Sequence, residues 1–547
     1  MPARLPRDAT QIASFSLAVA ALLGIANNAH ASGFDNIQVG SARSGPTTRD
    51  AAAIHYNPAQ LGYLERPELY VSGGLIFGAV SYERQRRGQY QYEDNFDFSD
   101  PIDPNDINPD KTGQAPEIAT NPVGPNLAVF YAMPVIEDRL TMGLGLYVPY
   151  AAIVNAPPDG PQRFANQSIS LLSANATLSA AVRLHDIVSI GGGVSYVLSA
   201  LSLSKVQDFG AIDSFADGLA GEPISQPNSF GSDAPSTVRE LDVLARDIEV
   251  DNAISHNVTF NAGIALRPTD KLDLALAYQH GANLRLQGKF TLNMDDDFFT
   301  QDLASQGLMF EPIVQGDVVV RMRLPRRIIA GAGYQFAKRF RLDGMASWAF
   351  YNTFDTVQIQ MSSPDLAQPA LGLGEDVDQP LVRDWVGTLL TEFTGAFQAT
   401  EKLGVTALLG YHMPASPDST VDMGSPDGHR MVFGAGMRYA FGDRFALLAD
   451  FEGQAIVPRI VTESDFDLAN GRYNLFIGHF GVTAQFRFGG RAKVAAAPKA
   501  AEPAAAPAEP DADEVGEEPA PKSPEPSGPQ PAGDPAAPPP PPPPPPN

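Results

Sequence analysis

Apolar and polar side chains alternate strictly in many segments between Pro67 and Phe488. The clearest is 480–488, where apolar Phe480, Val482, Ala484, Phe486 and Phe488 alternate with Gly481, Thr483, Gln485 and Arg487. A period of two puts these sets on opposite faces of a β-strand. One apolar and one polar face suits a wall between lipid and a wet or packed lumen.

The alternating segments predict an all-β protein, a 14-stranded antiparallel transmembrane β-barrel, with twelve or sixteen strands as open alternatives. The predicted strands are 67–82, 126–133, 139–150, 168–184, 186–204, 256–267, 271–291, 316–337, 339–360, 385–399, 402–413, 429–441, 444–457 and 472–488. Tight turns alternate with long acidic loops: 83–125, 151–167, 205–255, 292–315, 361–384, 414–428 and 458–471. An up-and-down barrel with an even strand number produces this alternation, with short turns on the periplasmic side.

Residues 1–31 are typical of a secretory signal peptide. Arg4 and Arg7 precede the apolar run 12–26, and Ala29-His30-Ala31 fits the small-x-small cleavage rule. The run is too short to span about 30 Å of hydrocarbon as an anchor helix. We therefore expect the mature chain to begin at Ser32.

Residues 32–66 are rich in small residues and carry almost no strand pattern. Glycines and the turn-forming pair Asn57-Pro58 favour an irregular path, and several apolar side chains need burial. We interpret this segment as a plug inside the barrel lumen, with a disordered leader as the alternative. The barrel itself is expected over 67–488.

Two predicted wall strands contain prolines, Pro149 and Pro325. Proline cannot donate to a ladder, so each predicts a bulge, a kink or a strand end.

The alternation stops after Phe488. Residues 489–547 are rich in Ala, Pro and Glu and end in nine consecutive prolines, 538–546. So few large apolar side chains cannot form a core, and a disordered periplasmic tail is expected. A linker role and a tether to a cell-wall or periplasmic partner are both open for it.

Composition narrows the function classes. The formal charge of −25 argues against a nucleic-acid partner, and the chain has no cysteine. No catalytic motif is found, which predicts a protein that is not an enzyme and needs no cofactor. The aspartates of loop 83–125 are interpreted as a solvated acidic loop, with Ca²⁺ binding as an open alternative and no metal site predicted.

Four arginines lie in or beside predicted wall strands and are candidates to bind a carboxylate head group: Arg163, Arg321, Arg323 and Arg438. The alternative for each is a purely structural role as an ion-pair partner in the lumen, which is the more frequent role of such arginines.

Several motifs together resemble the long-chain fatty acid transporter (FadL/TodX) family. They are Gly33-Phe34, Asn57-Pro58-Ala59, the segment MGLGLYVPYA, the segment VRMRLPRRIIAGAGYQF and the late segment GYHMPASPDST, all in family order. The resemblance covers most of residues 33–488. The short second strand, loop 83–125 and the tail depart from the family pattern.

The resemblance implies outer-membrane transport of hydrophobic compounds by passive diffusion through a plugged barrel with lateral release. Long-chain fatty acids are the first expected cargo and aromatic hydrocarbons the second. It further implies that Gly33, Phe34, Asn57, Pro58 and Ala59 form the gate of the plug and that Pro149 lies at an inward kink beside a gap in the wall. A monomer in contact with outer-membrane lipid and lipopolysaccharide is expected.

Overall fold

The computed structural model describes residues 38–84, 117–209, 244–369, 374–465 and 469–489. One antiparallel sheet of twenty strands dominates this part of the chain. The strands are β1 (Glu68–Arg84), β2 (Ile118–Thr120), β3 (Val123–Ile136), β4 (Leu140–Asn155), β5 (Ser168–His185), β6 (Val188–Asp208), β7 (Ala245–Thr269), β8 (Leu272–Gln279), β9 (Asn283–Asn293), β10 (Ile313–Arg323), β11 (Arg327–Ala337), β12 (Phe340–Ala349), β13 (Thr356–Ser362), β14 (Asp376–Val382), β15 (Thr388–Gln398), β16 (Leu403–His412), β17 (Arg430–Ala440), β18 (Phe445–Ile456), β19 (Arg459–Val461) and β20 (Gly471–Arg487).

The sheet closes on itself because its first and last long strands pair. β1 and β20 are in antiparallel register from Glu68 opposite Arg487 to Arg84 opposite Gly471. Four spans of the wall are each divided into two strands (β8 with β9, β10 with β11, β12 with β13, β14 with β15), and the short β2 and β19 lie outside the count. The wall is therefore a closed barrel of fourteen spans, which confirms the predicted fold and strand number.

The strand ends differ from the predictions where the wall rises toward the long loops. The second span covers Val123–Ile136 and is not short, and β7 begins at Ala245, inside the predicted loop 205–255. β14 lies within the predicted loop 361–384. These extensions were missed because they rise beyond the lipid, where a strand no longer needs one apolar face and the strict alternation is lost.

Helices are short and few among the described residues. They are the α-helices α1 (Ala53–Tyr56) and α2 (Asp297–Thr300), and the 3-10 helices Pro58–Tyr63, Asp302–Gln306, Tyr351–Thr353 and Pro364–Leu366. In the described ranges, no helix has the length and apolar character needed to cross a membrane.

The two faces of the wall follow the predicted alternation. In the last strand, Phe480 is 52% exposed whereas its neighbours on the other face, including Thr483, are buried. The polar face therefore points into the barrel and the apolar face points out.

Two groups of residues fill the lumen. Residues 38–66, which we call the plug, occupy the half nearer the short turns, and Ala51, Ile54 and Leu61 are almost fully buried there. A large apolar cluster, including Leu286, Phe290, Phe299, Val318, Phe354 and Trp385, fills the half nearer the long loops. The candidate functional site lies between the two.

Candidate functional site

Asn57 joins the plug to the wall. Its side chain accepts a hydrogen bond from the Ala59 nitrogen (3.1 Å), which caps the 3-10 helix Pro58–Tyr63. Its Nδ2 atom donates to the Ile264 carbonyl of β7 (3.1 Å) and to the Pro46 carbonyl of the plug (3.4 Å). All the polar atoms of this fully buried amide are thus satisfied, and they hold the plug turn against one point of the wall.

That point is made of two glycines. Gly191 of β6 and Gly263 of β7 are direct cross-strand partners. A Cβ atom at Gly191 would lie 2.5 Å from the Ala59 nitrogen, closer than atoms approach without a clash. We call Gly191 and Gly263 the glycine seat, because only residues without a side chain leave room there for Asn57-Pro58-Ala59.

Polar wall side chains fix the plug backbone at further points. Asn261 donates to the Ile54 carbonyl (2.8 Å) and Gln279 donates to the His55 carbonyl (2.6 Å). On the opposite side of the lumen, the Glu68 carboxylate accepts from the Ala51 nitrogen (3.0 Å). The plug is therefore attached by hydrogen bonds to several separate strands.

Asp50 introduces a titratable group into this interface. It is buried, and its carboxylate accepts a hydrogen bond from the Ala52 nitrogen (3.0 Å). Burial, together with the negative charge of nearby Glu68, raises the pKa of Asp50 to about 7. The plug therefore carries a group that titrates near neutral pH.

The wall is incomplete beside Pro149. The pairing of β3 with β4 ends at Ala128 opposite Tyr147, although β4 continues to Asn155. Pairing of β4 with β5 shifts register between Tyr147 and Tyr150. Because Pro149 has no N–H to donate, the strand leaves its β3 neighbour at this point.

The side chain of Tyr150, in the displaced part of β4, contacts the second proline that the sequence singles out. The Tyr150 hydroxyl donates to the Pro325 carbonyl (3.2 Å), and the Arg327 guanidinium lies 5.8 Å from the centre of the Tyr150 ring. Pro325 itself lies in the break between β10 and β11. The two prolines that the sequence singles out are thus linked inside the lumen through Tyr150, the residue after Pro149.

A cavity of about 100 Å³ opens at this contact. Its lining includes Tyr56 of the plug, Pro149, Tyr150, Arg327, Arg430 and Glu452. Tyr150 also packs against the apolar cluster, so the cavity connects an apolar region with a polar one.

The four candidate arginines are not brought together. Arg438 faces the lumen below the plug, where it lines a second cavity of about 370 Å³ with Arg43, Arg49 and Arg487 and donates to Gln485 (3.2 Å). Arg321 and Arg323 are exposed on the face of β10 opposite the apolar cluster.

Arg163 lies in the loop between β4 and β5, over the ring of Phe164 at 4.6 Å. Gly33 and Phe34 lie outside the described residues, as do most of loop 83–125, the signal segment and almost all of the tail.

The glycine seat and the amides that bind the plug were missed in the sequence. A signal was present, since Gly191 belongs to a run of three glycines inside a predicted strand, and such glycines indicate a close backbone approach.

A family model for outer membrane transport proteins (OMPP1/FadL/TodX) matches residues 17–476. The putative outer membrane protein NMB0088 of Neisseria meningitidis is 23% identical over 430 residues, 76% of this chain and 84% of the relative. A FadL homologue of Pseudomonas aeruginosa has a TM-score of 0.64 at 19% identity, covering 84% of this chain and 99% of that chain. The toluene transporter TodX of Pseudomonas putida has a TM-score of 0.57 at 15% identity, covering 84% and 100%.

Proposed function

This chain belongs to the OMPP1/FadL/TodX family of outer membrane transport proteins, and we propose that its main cargo is long-chain fatty acids. The barrel resides in the outer membrane of a Gram-negative cell and transports hydrophobic compounds.

The observation that carries the proposal is the junction of the apolar cluster with the polar cavity at Tyr150. A fatty acid has an apolar chain and a carboxyl group, so it can occupy both environments at once. Each buried methylene contributes about 0.8 kcal/mol, and ten contribute roughly 8 kcal/mol, equivalent to micromolar binding before entropic losses. Arg327 and Arg430 line the cavity where the head group would lie.

The end of the β3–β4 ladder at Ala128 opposite Tyr147, as the described residues show it, supports lateral release. A hydrophobic solute gains nothing from a water-filled pore, whereas a gap in the wall beside the cavity leads directly to lipid. Diffusion down a concentration gradient through this gap needs no energy source.

The plug supports a gating role for Asn57, Pro58 and Ala59. These residues occupy the glycine seat on β6 and β7, and the neighbouring residues His55 and Tyr56 line the cavity. A shift of the turn in its seat would therefore change the cavity lining. Gly33 and Phe34 are proposed to belong to the same gate by family resemblance.

Uptake into cells that lack their own transporter tests the proposal. Cells expressing the wild-type chain, Asn57→Ala or the control Asn283→Ala receive a long-chain fatty acid or a small aromatic hydrocarbon. Asn283 is exposed on the outer face of β9, far from the plug contacts. We expect fatty acid uptake with the wild type and the control, and reduced uptake with Asn57→Ala.

Two outcomes contradict parts of the proposal. Equal uptake with Asn57→Ala, in a barrel shown to be folded in the outer membrane, removes the gating role. Uptake of the aromatic hydrocarbon alone favours the second candidate, for which the fold similarity to the toluene transporter TodX is the specific observation.

The tail is not needed by this mechanism. Deleting residues 489–547 should leave uptake intact if the barrel is the working part. Loss of uptake in a correctly inserted barrel would favour a tail that recruits a periplasmic partner.

A further inference from the structure

Arginines are concentrated on one part of the outer face of the barrel. Arg285 of β9 and Arg321 of β10 are direct cross-strand partners, and Arg323 follows on the same face two residues along. All three are exposed, whereas the alternate residues of both strands, such as Leu286 and Val320, belong to the apolar cluster inside. We call Arg285, Arg321 and Arg323 the arginine patch.

The patch has no carboxylate partner within the described part of the chain. Among the described residues, the side chain to which Arg321 donates is the neutral Gln360, at 3.3 Å. Farther along the same strand pair, Lys289 of β9 forms an ion pair with Asp317 of β10 at 2.6 Å. A cation on this face is therefore neutralised where the opposite strand carries a carboxylate. Like charges that face each other across strands destabilise a sheet, so the arginine pair costs stability unless an anion binds it.

The patch lies at the upper edge of the lipid-facing band. In β11 the exposed outward residues run from Phe336, near the short turn, to Ile328, next to the break 324–326 that separates β11 from Arg323 at the end of β10. Eight residues at about 3.3 Å each, tilted by about 40°, rise roughly 20 Å, close to the height of about 25 Å of an outer-membrane apolar band.

Aromatic side chains mark the same level on neighbouring strands. Tyr278 hydrogen-bonds His280 (2.9 Å), the His280 ring stacks on Phe260, and Trp348 is exposed on β12. Such residues form girdles at the membrane interface. The arginines therefore stand at the level of the lipid head groups on the long-loop, external side.

We propose that the arginine patch binds the phosphate groups of the phosphorylated glycolipid in the outer leaflet, the lipid A part of lipopolysaccharide. Arginine presents a planar fork of donors that matches phosphate oxygens and forms charge-assisted hydrogen bonds with them. A chain with a formal charge of −25 repels phosphate groups over most of its surface. A local group of arginines that faces the lipid is therefore the place where a lipid phosphate can bind. The inference does not depend on the cargo.

The test compares lipids that differ only in phosphate. The full chain, purified in detergent, is titrated with bisphosphorylated lipid A, with the same lipid A after enzymatic removal of both phosphates, and with inorganic phosphate. We expect tight binding of the first, weak binding of the second, and no competition from millimolar inorganic phosphate, because the acyl chains contribute to affinity.

The double variant Arg285→Gln/Arg321→Gln should bind bisphosphorylated lipid A about tenfold more weakly or worse, since hydrogen bonds to charged groups are the stronger kind. The matched control Arg139→Gln/Arg444→Gln removes two exposed arginines from the opposite, short-turn end of the barrel and should bind like the wild type.

Stability gives a second readout that a merely structural role would not reproduce. Without lipid A, Arg321→Gln should unfold at the same temperature as the wild type or higher, because it relieves the like-charge pair. With lipid A, the wild type should gain more stability than the variant. Binding that ignores the phosphates, equal binding by the double variant, or a lipid-free loss of stability in Arg321→Gln would each overturn the proposal.

Discussion

Gly263 lies so close to Asn57 that a Cβ atom on the glycine would fall 2.1 Å from the asparagine Oδ1. The plug residue and the wall residue are more than two hundred positions apart in sequence, yet any side chain added at Gly263 would displace Asn57. The contact therefore connects the plug to the wall beside the cavity.

Replacing Gly263 with alanine should displace the plug turn while the barrel stays folded. Overpacking of this kind costs about 1–3 kcal/mol, which the plug can avoid by leaving its seat. Hydrogen exchange of residues 50–63 should rise in the variant. Gly395→Ala is the matched control, because its Cβ atom would meet its nearest neighbour at an ordinary 3.7 Å. Unchanged hydrogen-exchange protection of residues 50–63 in Gly263→Ala would show that the glycine seat accommodates a Cβ atom without displacing the plug turn.

Docking of the plug should weaken as the pH rises toward neutrality. Burial and the charge of Glu68 raise the pKa of Asp50 from 3.8 to about 7. The docked form thus holds its proton more tightly than the undocked form, so undocking releases a proton and becomes easier between about pH 4 and 7. Each pKa unit of difference corresponds to about a tenfold change in the docking equilibrium.

Asp50→Asn should flatten this pH dependence, measured as hydrogen exchange of the plug between pH 4 and 8. Asp443→Asn, at an exposed short turn, should leave the wild-type profile unchanged. If hydrogen exchange of the wild-type plug does not change between pH 4 and 8, Asp50 is ionised in the docked plug throughout this pH range.

The register shift in β4 between Tyr147 and Tyr150 should depend on both Pro149 and the Tyr150 hydroxyl. Tyr150→Phe removes the hydrogen bond to Pro325, worth about 1 kcal/mol, and Pro149→Ala restores the missing ladder donor. We expect the combined variant to narrow the β3–β4 gap and reduce uptake. Because the chain has no cysteine, spin labels at Leu127 and Val148 can report the gap directly.

The control for this experiment is Pro380→Ala, a proline in β14 whose pairing with β13 continues without a register shift. Normal uptake in a combined variant with a closed gap would exclude lateral release at this point.

The loop after β16 should lose its structure in acid through Asp427. Its carboxylate is bound by Arg430 (2.8 Å) and by the Ala415 nitrogen (2.6 Å). Burial opposes ionisation, but Arg430 and the backbone donors outweigh it and lower the pKa of Asp427 below its usual value. The stabilisation is therefore present above about pH 4 and lost as the pH falls through the lowered value.

Asp427→Asn should destabilise this loop by about 3 kcal/mol, because it leaves Arg430 buried and uncompensated. Faster protease cleavage within 414–428 on intact cells would reveal this. The control Asp418→Asn changes an exposed partner of Arg459 and should have little effect. Equal cleavage of Asp427→Asn and wild type would contradict the assignment.

The barrel could be predicted because lipid imposes a strict rule on each wall strand. Residues such as Phe480 and Thr483 reveal their faces by parity alone. No such rule applies where a strand leaves the membrane, which is why the sequence pattern predicts loop at the start of β7 (Ala245) and over the whole of β14. Arg321 and Arg323 were grouped with Arg438 because parity cannot show which face is the lumen when both faces carry mixed residues.

The site was only partly visible for a different reason. Asn57-Pro58 and Pro149 constrain the backbone locally, so sequence alone indicates them. The glycine seat and the Tyr150 contact with Pro325 depend on pairs far apart in the chain, and one sequence contains no record of such pairs.

The pairing of β1 with β20 has a consequence for biogenesis. The plug precedes β1 in the chain, and the seam that encloses it is formed by β1 and the last strand of the described residues, β20. Until that seam closes, the plug can reach its partners on β1, β7 and β8 from the side; afterwards it can enter only through the periplasmic mouth. The plug residues are thus already present when the pairing of β1 with β20 closes the wall around them.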